Sequence, residues 1–479
     1  MAVADISLES ESTVAENSAL VVWALAWPAV LLNSLQVINT LLDRFFTGTL
    51  PSAALTAYGA STVVTFLMFS LGMALATGAT AIVSRAFGAE NADEYRRGAQ
   101  ESLSLSVFGG IGIGLLTASI AGFASSLVLP SHDSAAIGHM TRFLTAYAFG
   151  LPALFIIQTL AGSLRGIGDT KSPMYISGIQ ICLHITLNFF LIFPTRHFAG
   201  VTVPGAGLGL TGAACALAGS AWISAIGYVI YIRRTPLGPL SPFRVPDSHW
   251  AFRILRIAIP AGVMATLRVF SLGAFTLVLK QVSDASAAIA AMSIGFALES
   301  IMFMPPFGLS AAAAALVGQS LGMKKPDRAE RLAWTAAHHA ALVTVAVAFP
   351  LFVSAMFVAM GLTSGKADIS SDAALLLRCL CGTEFLFAYA MVLMGAMQGA
   401  GDTVRPLWIT VFCLWGLRVP LAAVFALPHG FRLGGVVPLP VGFGWGTPGA
   451  WVAMSATQGL QGVLAMIAFK LGHWKTEKV

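Results

Sequence analysis

The stretch GSLRGIGDTKSP, residues 162–173, has a near copy, GAMQGAGDTVRP, at residues 395–406. Each copy follows one apolar run and precedes another. The copies lie 233 positions apart in a chain of 479 residues, so each half carries the same Gly-rich, Asp-Thr-Pro corner once. The repeat extends outward from it. Pro28 in LAWPAVL matches Pro260 in IAIPAGV, and VSRAFGAENADEYRR (83–97) matches VGQSLGMKKPDRAER (317–331), at nearly the same offset. A fixed period of this kind marks one structural unit used twice.

The apolar runs say what the unit is. Charged residues make up 10% of the chain and apolar residues 57%, with mean hydropathy +0.81; a soluble domain carries about 25% charged residues. Residues 103–130 and 206–232 contain no charge at all. Runs of about 18 or more apolar residues are long enough to cross the hydrocarbon as helices. The roughly 10-residue alternating segments of a membrane β-barrel are not seen. The fold class read from these runs is an all-α integral membrane protein with twelve transmembrane helices. They are expected near residues 20–46, 54–86, 99–128, 137–161, 172–194, 206–232, 252–281, 286–318, 332–361, 372–397, 405–428 and 447–471. The implied division is an N-terminal cytoplasmic tail (1–19), an N-lobe of helices 1–6 (20–235), a linker (236–251), a C-lobe of helices 7–12 (252–471) and a C-terminal tail (472–479). Six crossings per unit is an even number, so both bundles cross in the same sense. They should be related by a pseudo-two-fold axis along the membrane normal, an arrangement suited to alternating access.

Loops after even-numbered spans, with the adjoining span ends and the C-terminal tail, hold 18 of the 27 basic residues. By the positive-inside rule that face is cytoplasmic, as are both termini. The net charge of +6 is then a topology signal, and nucleic acid is not expected as a partner. The acidic start (Asp5, Glu9, Glu11, Glu16) lacks the basic opening and cleavage site of a signal peptide; a short loose tail is expected there.

The corner has a local reading. Gly166 and Gly168, like Gly399 and Gly401, can end the preceding helix with positive φ. Thr170 and Thr403 can each N-cap the next helix, with Pro173 and Pro406 in its first turn, where a missing N–H costs little. Ser172 could cap the first copy, but its counterpart Arg405 could not, so the threonines are preferred. Asp169 and Asp402 lie near the positive helix end. A tight cytoplasmic hairpin between the fourth and fifth helix of each half explains most of the motif.

Chemistry other than transport finds little support. Cys182, Cys215, Cys379, Cys381 and Cys413 fall in or beside spans, without zinc spacing, and read as buried, inert thiols. GLGLTG (207–212) opens an apolar span, so helix packing explains it better than a dinucleotide loop. There is no phosphate loop, no helical HExxH and no triad. Neither an enzyme nor a cofactor or metal site is expected.

The paired LRGxGDTxxP-like corners resemble the multidrug and toxic compound extrusion (MATE) family. LLDRFFTGTL ending span 1, MPPFGLSAAAAALVGQSLG in span 8 and LRVPLA in span 11 do so as well. The likeness covers about residues 20–470. It implies a secondary antiporter that exports organic cations or amphipathic drugs by alternating access, driven by H⁺ or Na⁺. The runner-up reading is a lipid-linked saccharide flippase of related two-bundle architecture, which should carry more basic than acidic residues in its cavity. A membrane scaffold is a third. Expected partners are membrane lipids, a small organic and cationic substrate, and the coupling ion. The chain is expected to be a monomer in the plasma membrane, the inner membrane if bacterial.

An ionisable residue inside a span is a functional hypothesis by default. Asn33, Gln36, Thr40 and Asp43, spaced 3, 4 and 3, form one polar face of span 1. Ser177, Gln180, His184 and Asn188 form a second in span 5. Together they suggest a hydrated cavity, with Asp43 as the coupling acid; the bland alternative is helix–helix hydrogen bonding, with Asp43 paired to Arg44 or snorkelling. The family resemblance also implies an acid at Asp43. It further implies Asn and Asp four apart in span 5, where this chain has His184 and Asn188. Asn188 cannot ionise, so a two-carboxylate proton site is not available. His184 has two open readings, a group that titrates near neutral pH or a hydrogen-bonded helix residue. The sodium-coupled branch carries Glu in span 7 and Asp in span 10; here those positions are Arg268 and Phe387. H⁺ is therefore the favoured ion. Arg268, Glu299, Glu384 and Arg418 are expected to neutralise one another in a buried network. A substrate cation could instead compete for Glu384, whose face continues through Phe387 and Met391. Trp408, Phe412 and Trp415 could hold lipophilic cations, or pack and face lipid.

Overall fold

The computed structural model describes residues 14–198, 201–363, 366–433, 437–438, 441–477 and 479. Twelve of its helices are long and apolar enough to cross a membrane. They are α1 (Val14–Thr47), α2 (Ser52–Gly88), α3 (Ala92–Val128), α4 (Ser134–Gly166), α5 (Lys171–Ile192), α6 (Gly209–Ile232), α7 (Ser248–Leu279), α8 (Ala285–Gly322), α9 (Pro326–Leu362), α10 (Ala367–Gly399), α11 (Val404–Ala426) and α12 (Thr447–Lys470). Each expected span has its helix. α11 is not uniform, since Phe412–Arg418 winds as a π-helix.

Contacts divide the chain into two units. One holds Leu31–Gly262 with Gly318–Lys325 and Val479; the other holds α1 as far as Val30, then Val263–Val317 and the described residues of Pro326–Lys478. In the first, α4 is the central helix, packed on α2, α3 and α6. In the second, α10 is central, packed on α9 and α12. These are the fourth helices of the two sequence repeats and the most buried of the twelve. The packing boundary departs from the sequence boundary in one way. α1 and α7 each change unit two residues after the repeated proline, Pro28 or Pro260. The first part of α1 packs in the second unit, where Trp23 faces His339. The first part of α7 packs in the first unit, where a Cβ on Gly78 would lie 3.0 Å from the Ile254 carbonyl oxygen.

The repeated corner is one device built twice. Its first glycine lets helices touch: a Cβ on Gly162 would lie 2.7 Å from the Ala76 carbonyl oxygen of α2, and one on Gly395 would strike Ser310 of α8. Gly168 (φ 87°) and Gly401 (φ 94°) adopt the left-handed conformation. There the Gly168 N–H bonds the Arg165 carbonyl and the Asp169 N–H reaches back to that of Leu164, both at 2.9 Å; Gly401 and Asp402 repeat this on Gln398 and Met397. This satisfies the carbonyls a helix end leaves open. The expectation for Gly166 and Gly399 is corrected, because neither has positive φ; a Cβ on Gly399 would collide with Ala314 of α8, and one on Gly166 would press on Val83 and Ser84 of α2 at 3.0–3.1 Å.

The capping expectation is corrected as well. Neither Thr170 nor Thr403 makes a side-chain cap bond. Asp169 Oδ1 accepts the Ser172 N–H at 3.0 Å, and Asp402 Oδ1 accepts that of Arg405 at 3.3 Å. A carboxylate suits this place better than a hydroxyl, because it also complements the positive helix end. Its second oxygen is employed too: Asp169 Oδ2 accepts from the Tyr231 hydroxyl and Asp402 Oδ2 from the Arg405 guanidinium.

Several connections are more ordered than the sequence suggested. β1 (Pro194–Phe198) and β2 (Val201–Ala206) form an antiparallel hairpin between α5 and α6; β3 (Arg432–Leu433) and β4 (Val437–Pro438) pair between α11 and α12. α1 begins at Val14 and so takes in the end of the expected 1–19 tail, whose residues 1–13 lie outside the described set. The C-terminal tail is docked: Trp474 is fully buried and stacks on Phe469 at 4.6 Å, and Lys475 pairs with Glu330. The expected linker is held by α3. The Gln100 side chain exchanges two 2.7 Å bonds with the Ser241 backbone, and the buried Glu101 accepts the Asp247 N–H at 2.8 Å. The cysteines are all free, but Cys182 is exposed, against the expectation of burial.

The cap assignment is testable by thermal unfolding in detergent. Asp169→Ala should cost about 1 kcal/mol, as loss of a cap does, and more if Tyr231 is left unpaired. Thr170→Val, of the same shape, should leave the transition temperature nearly unchanged.

Candidate functional site

In the first unit the polar residues of α1 and α5 meet in two rungs. Asn39 Oδ1 lies 3.2 Å from His184 Nδ1, and Asn188 Nδ2 donates to Asp43 Oδ1 at 2.6 Å. Both rungs span 145 positions, and on each helix the members are four apart. Equal spacing in the same direction means that the two helices run parallel here, with one face of each turned to the other. A diagonal closes the figure: Asn188 Nδ2 is 3.3 Å from His184 Nε2, which is 3.8 Å from Asp43 Oδ1. His184 and Asn188 are buried, whereas the Asp43 side chain keeps 21% exposure. A carboxylate held by one amide and open on another side can exchange a proton without unfolding its surroundings.

Two further groups are placed around it. Thr47 turns its hydroxyl onto the Asp43 carbonyl. The alternative pairing of Asp43 with Arg44 is not formed among the described residues, and Arg44 is exposed. The remaining members of the expected polar faces behave differently. Gln36 and Thr40 are exposed, and the Thr40 hydroxyl folds onto the Gln36 carbonyl; Asn33 and Gln180 are half-buried. Ser177 leaves the stripe altogether, since it bonds the buried Tyr228 hydroxyl of α6 at 2.9 Å. Asn39, which ends the ladder at His184, was missed in the sequence. Its signal was its place one turn before Asp43.

The second unit gathers its charges around an amide. Gln458 of α12 donates to Glu384 Oε2 of α10 at 2.7 Å and to Glu299 Oε1 of α8 at 3.1 Å. Arg418, at the end of the π-helical segment, donates to Thr457 at 3.0 Å. The direct ion pairs expected of these residues are not formed: among the described residues, neither Arg268 nor Arg418 lies within 4 Å of a carboxylate. The physical reason is that an amide –NH₂ has two N–H groups and can serve two carboxylates at once, while the long π turn aims Arg418 at α12. Gln458 gave no sequence signal beyond being a polar residue in an apolar span.

Glu384, Phe387 and Met391 are all buried. Phe387 stacks on Phe303 of α8 at 6.2 Å, and the Met391 carbonyl accepts from Ser310. Their face therefore packs on α8. Of the three α11 aromatics, Trp408 and Phe412 are exposed, and Trp415 donates to the Leu267 carbonyl at 3.0 Å. No group of three or more His, Cys, Asp or Glu is placed to hold a metal among the described residues.

A membrane protein of twelve helices, built from one repeated unit and gathering isolated polar groups inside its spans, has the design of a secondary transporter. The MatE family model matches residues 28–190 and 260–424, well over half of the sequence, and the chain belongs to that family of membrane transporters; it is not an enzyme. Its relatives include "Probable multidrug resistance protein NorM" of Thermotoga maritima, 28% identical over 464 residues, 95% of this chain and 93% of that one. Another is "Multidrug resistance protein MdtK" of Photorhabdus laumondii, 22% identical over 437 residues, covering 87% and 91%. Among solved structures, a crystal structure of MATE in complex with MaL6 superposes with TM-score 0.84 at 18% identity, covering 98% of this chain and all of the other. These findings do not favour the flippase reading.

The bridging amide makes a specific demand. Gln458→Leu should destabilise the protein by about 1–3 kcal/mol, since two enclosed acceptors lose their donor. Gln458→Leu combined with Glu384→Gln should recover part of that loss, measured as the unfolding midpoint in detergent.

Proposed function

We propose that this transporter is a H⁺-coupled antiporter that exports organic cations or amphipathic drugs by alternating access of its two lobes, expected at residues 20–235 and 252–471. The observation that carries the proposal is the ladder around Asp43: a single half-buried acid inside a span, bonded by one neutral amide. The names of the relatives, multidrug resistance proteins, support the substrate class. Arg268 and Phe387, at places where the sodium-coupled branch carries acids, support H⁺ over Na⁺. On this reading Asp43 is the coupling residue and His184 and Asn188 tune it. Asn33, Gln36, Thr40 and Gln180 contribute polar wall on the first unit; Glu384, with Phe387 and Met391, contributes from the second. The chain acts as a monomer in lipid, in the bacterial inner membrane, with both termini in the cytoplasm.

Protonated Asp43 has no charge with which to attract a cationic substrate, so proton and substrate compete for it. Each proton that enters down 100 mV supplies about 2.3 kcal/mol, enough for a roughly 40-fold gradient of a neutral substrate at about 1.4 kcal/mol per tenfold. A one-for-one exchange with a monovalent cation is electroneutral and draws on the pH difference alone.

Proteoliposomes under imposed gradients test this. An inward H⁺ gradient should drive substrate out and a Na⁺ gradient should not. Asp43→Asn should insert and fold, yet lose gradient-driven efflux. Efflux near the wild-type rate in that variant would sink the assignment of Asp43, and Na⁺-driven efflux independent of pH would sink the choice of ion.

A further inference from the structure

We propose that Asn39, His184 and Asn188 form, with Asp43, a hydrogen-bond chain whose direction reverses when Asp43 takes up a proton, with Asn39 as the positioning residue at its far end. This rests on the reading of Asp43 as the proton carrier and adds how the rest of the ladder registers the event.

The donor and acceptor roles in the ladder are interlocked. Asn188 Nδ2 gives one N–H to Asp43 Oδ1 (2.6 Å) and faces His184 Nε2 (3.3 Å) with the other. His184 Nε2 is then an acceptor, so in the neutral ring the proton sits on Nδ1 and is donated to Asn39 Oδ1 at 3.2 Å. Asn188 thus donates both to the carboxylate and to the ring, and the ring in turn donates to Asn39. This set of roles fits an ionised Asp43, which can only accept.

A protonated Asp43 presents an O–H. It is accommodated when the Asn188 amide turns over, so that Oδ1 accepts from Asp43. The same oxygen then faces His184 Nε2, which must carry a proton; Nδ1 gives its proton up and accepts from the Asn39 amide, turned over in its turn. The balance is simple. One proton is gained, at the Asp43 carboxyl, and the site goes from −1 to neutral. The imidazole keeps one proton and exchanges which nitrogen holds it. No redox partner is involved, and the heavy atoms that move are the oxygen and nitrogen of the two amides, which exchange places.

One observation points to the reversal independently of the bond list. Asn188 is 1% exposed, and its Oδ1 has no hydrogen-bond partner. The amide is therefore held from one side only, by the two contacts that themselves change sign. Turned over, the Nδ2 group takes the place where the oxygen had no partner, and no bond to a third residue has to break. Asn and Gln amides can present either end to the same neighbour with little change of shape, and an imidazole can present either tautomer. An acid at position 188 or an aliphatic residue at position 39 could do neither. The other titratable or charged groups near Asp43 among the described residues are few: Arg44 on its own helix and Tyr58 of α2. On α6, Tyr228 and Tyr231 are engaged elsewhere, with Ser177 and Asp169.

The test reads the ring itself. Full-length protein labelled with ¹⁵N-histidine, with the His184 signals assigned by their loss in His184→Gln, is titrated in detergent while ¹³C-labelled aspartate follows Asp43. The expected result is a neutral ring protonated on Nδ1 while Asp43 is ionised and on Nε2 once it is protonated. The exchange should be absent in Asp43→Asn. Asn39→Leu should slow H⁺-driven efflux about tenfold, the worth of one lost bond, with substrate affinity unchanged. A tautomer that stays fixed through the Asp43 titration overturns the chain reversal. So does an imidazolium with both nitrogens protonated, or an exchange that persists in Asp43→Asn. Failure here is separable from failure of the coupling assignment: a fixed tautomer together with lost efflux in Asp43→Asn removes the relay and leaves Asp43 as carrier, whereas undiminished efflux in Asp43→Asn removes both.

Discussion

Hydrocarbon offers no hydrogen bonds, so every polar group in a span must find its partner in the protein. The architecture follows from that constraint. Twelve helices satisfy their own backbones; many serine and threonine hydroxyls fold back onto their own helix, and other polar side chains are answered by a second one. Thr80 reaches the Gly162 carbonyl, Ser177 reaches Tyr228, and the Asp43 and Glu384 carboxylates each reach an amide. The turns obey the same rule at the helix ends. There the left-handed Gly168 and Gly401 and the capping Asp169 and Asp402 supply partners for the carbonyls and N–H groups that a chain break would strand.

The two units solve the problem of an enclosed charge in different ways. In the first, one carboxylate is surrounded by groups that can either give or take a hydrogen bond: two asparagines and a histidine. In the second, two carboxylates share a single glutamine, and among the described residues neither Arg268 nor Arg418 pairs with them. The first arrangement has alternative bonding patterns at little geometric cost. The second has few, because removing the amide strands both acids. A common ancestor of the halves is still visible in the corners and hairpins, while the interiors have diverged.

The sequence made the fold legible because hydrophobic length and internal repetition are properties of segments, and both survive averaging over many residues. The corner showed itself through its glycines and proline. What escaped is what depends on one side chain's direction. Thr170 and Asp169 are neighbours, both able to cap, and only the backbone angle at Gly168 decides which carboxylate or hydroxyl reaches the Ser172 N–H. Asp43, His184 and Asn188 stood out as ionisable or polar residues in spans. Asn39 did not, since the face drawn through Asn33, Gln36 and Thr40 passed beside it; its importance comes from the parallel course of α5, which no local pattern encodes. Gln458 was hidden for the same reason, and the ion pairs expected of Arg268 and Arg418 gave way to it. The hairpins between α5 and α6 and between α11 and α12 fall in Pro- and Gly-rich loops too short to carry an alternating signature.

The exchange of α1 and α7 between units after Pro28 and Pro260 bears on how such a chain can be cut. Its duplicated halves are genetic modules, but they are not autonomous folding modules. A fragment ending in the linker would keep Gly78 and its neighbours on α2 without the Ile254 segment that covers them, and would carry an amino-terminal stretch of α1 whose companions, such as His339, lie on the missing piece. The two fragments are complementary in the manner of swapped domains. Each would be expected to need the other during insertion, so the linker that α3 clamps serves as an assembly tether as well as a connection.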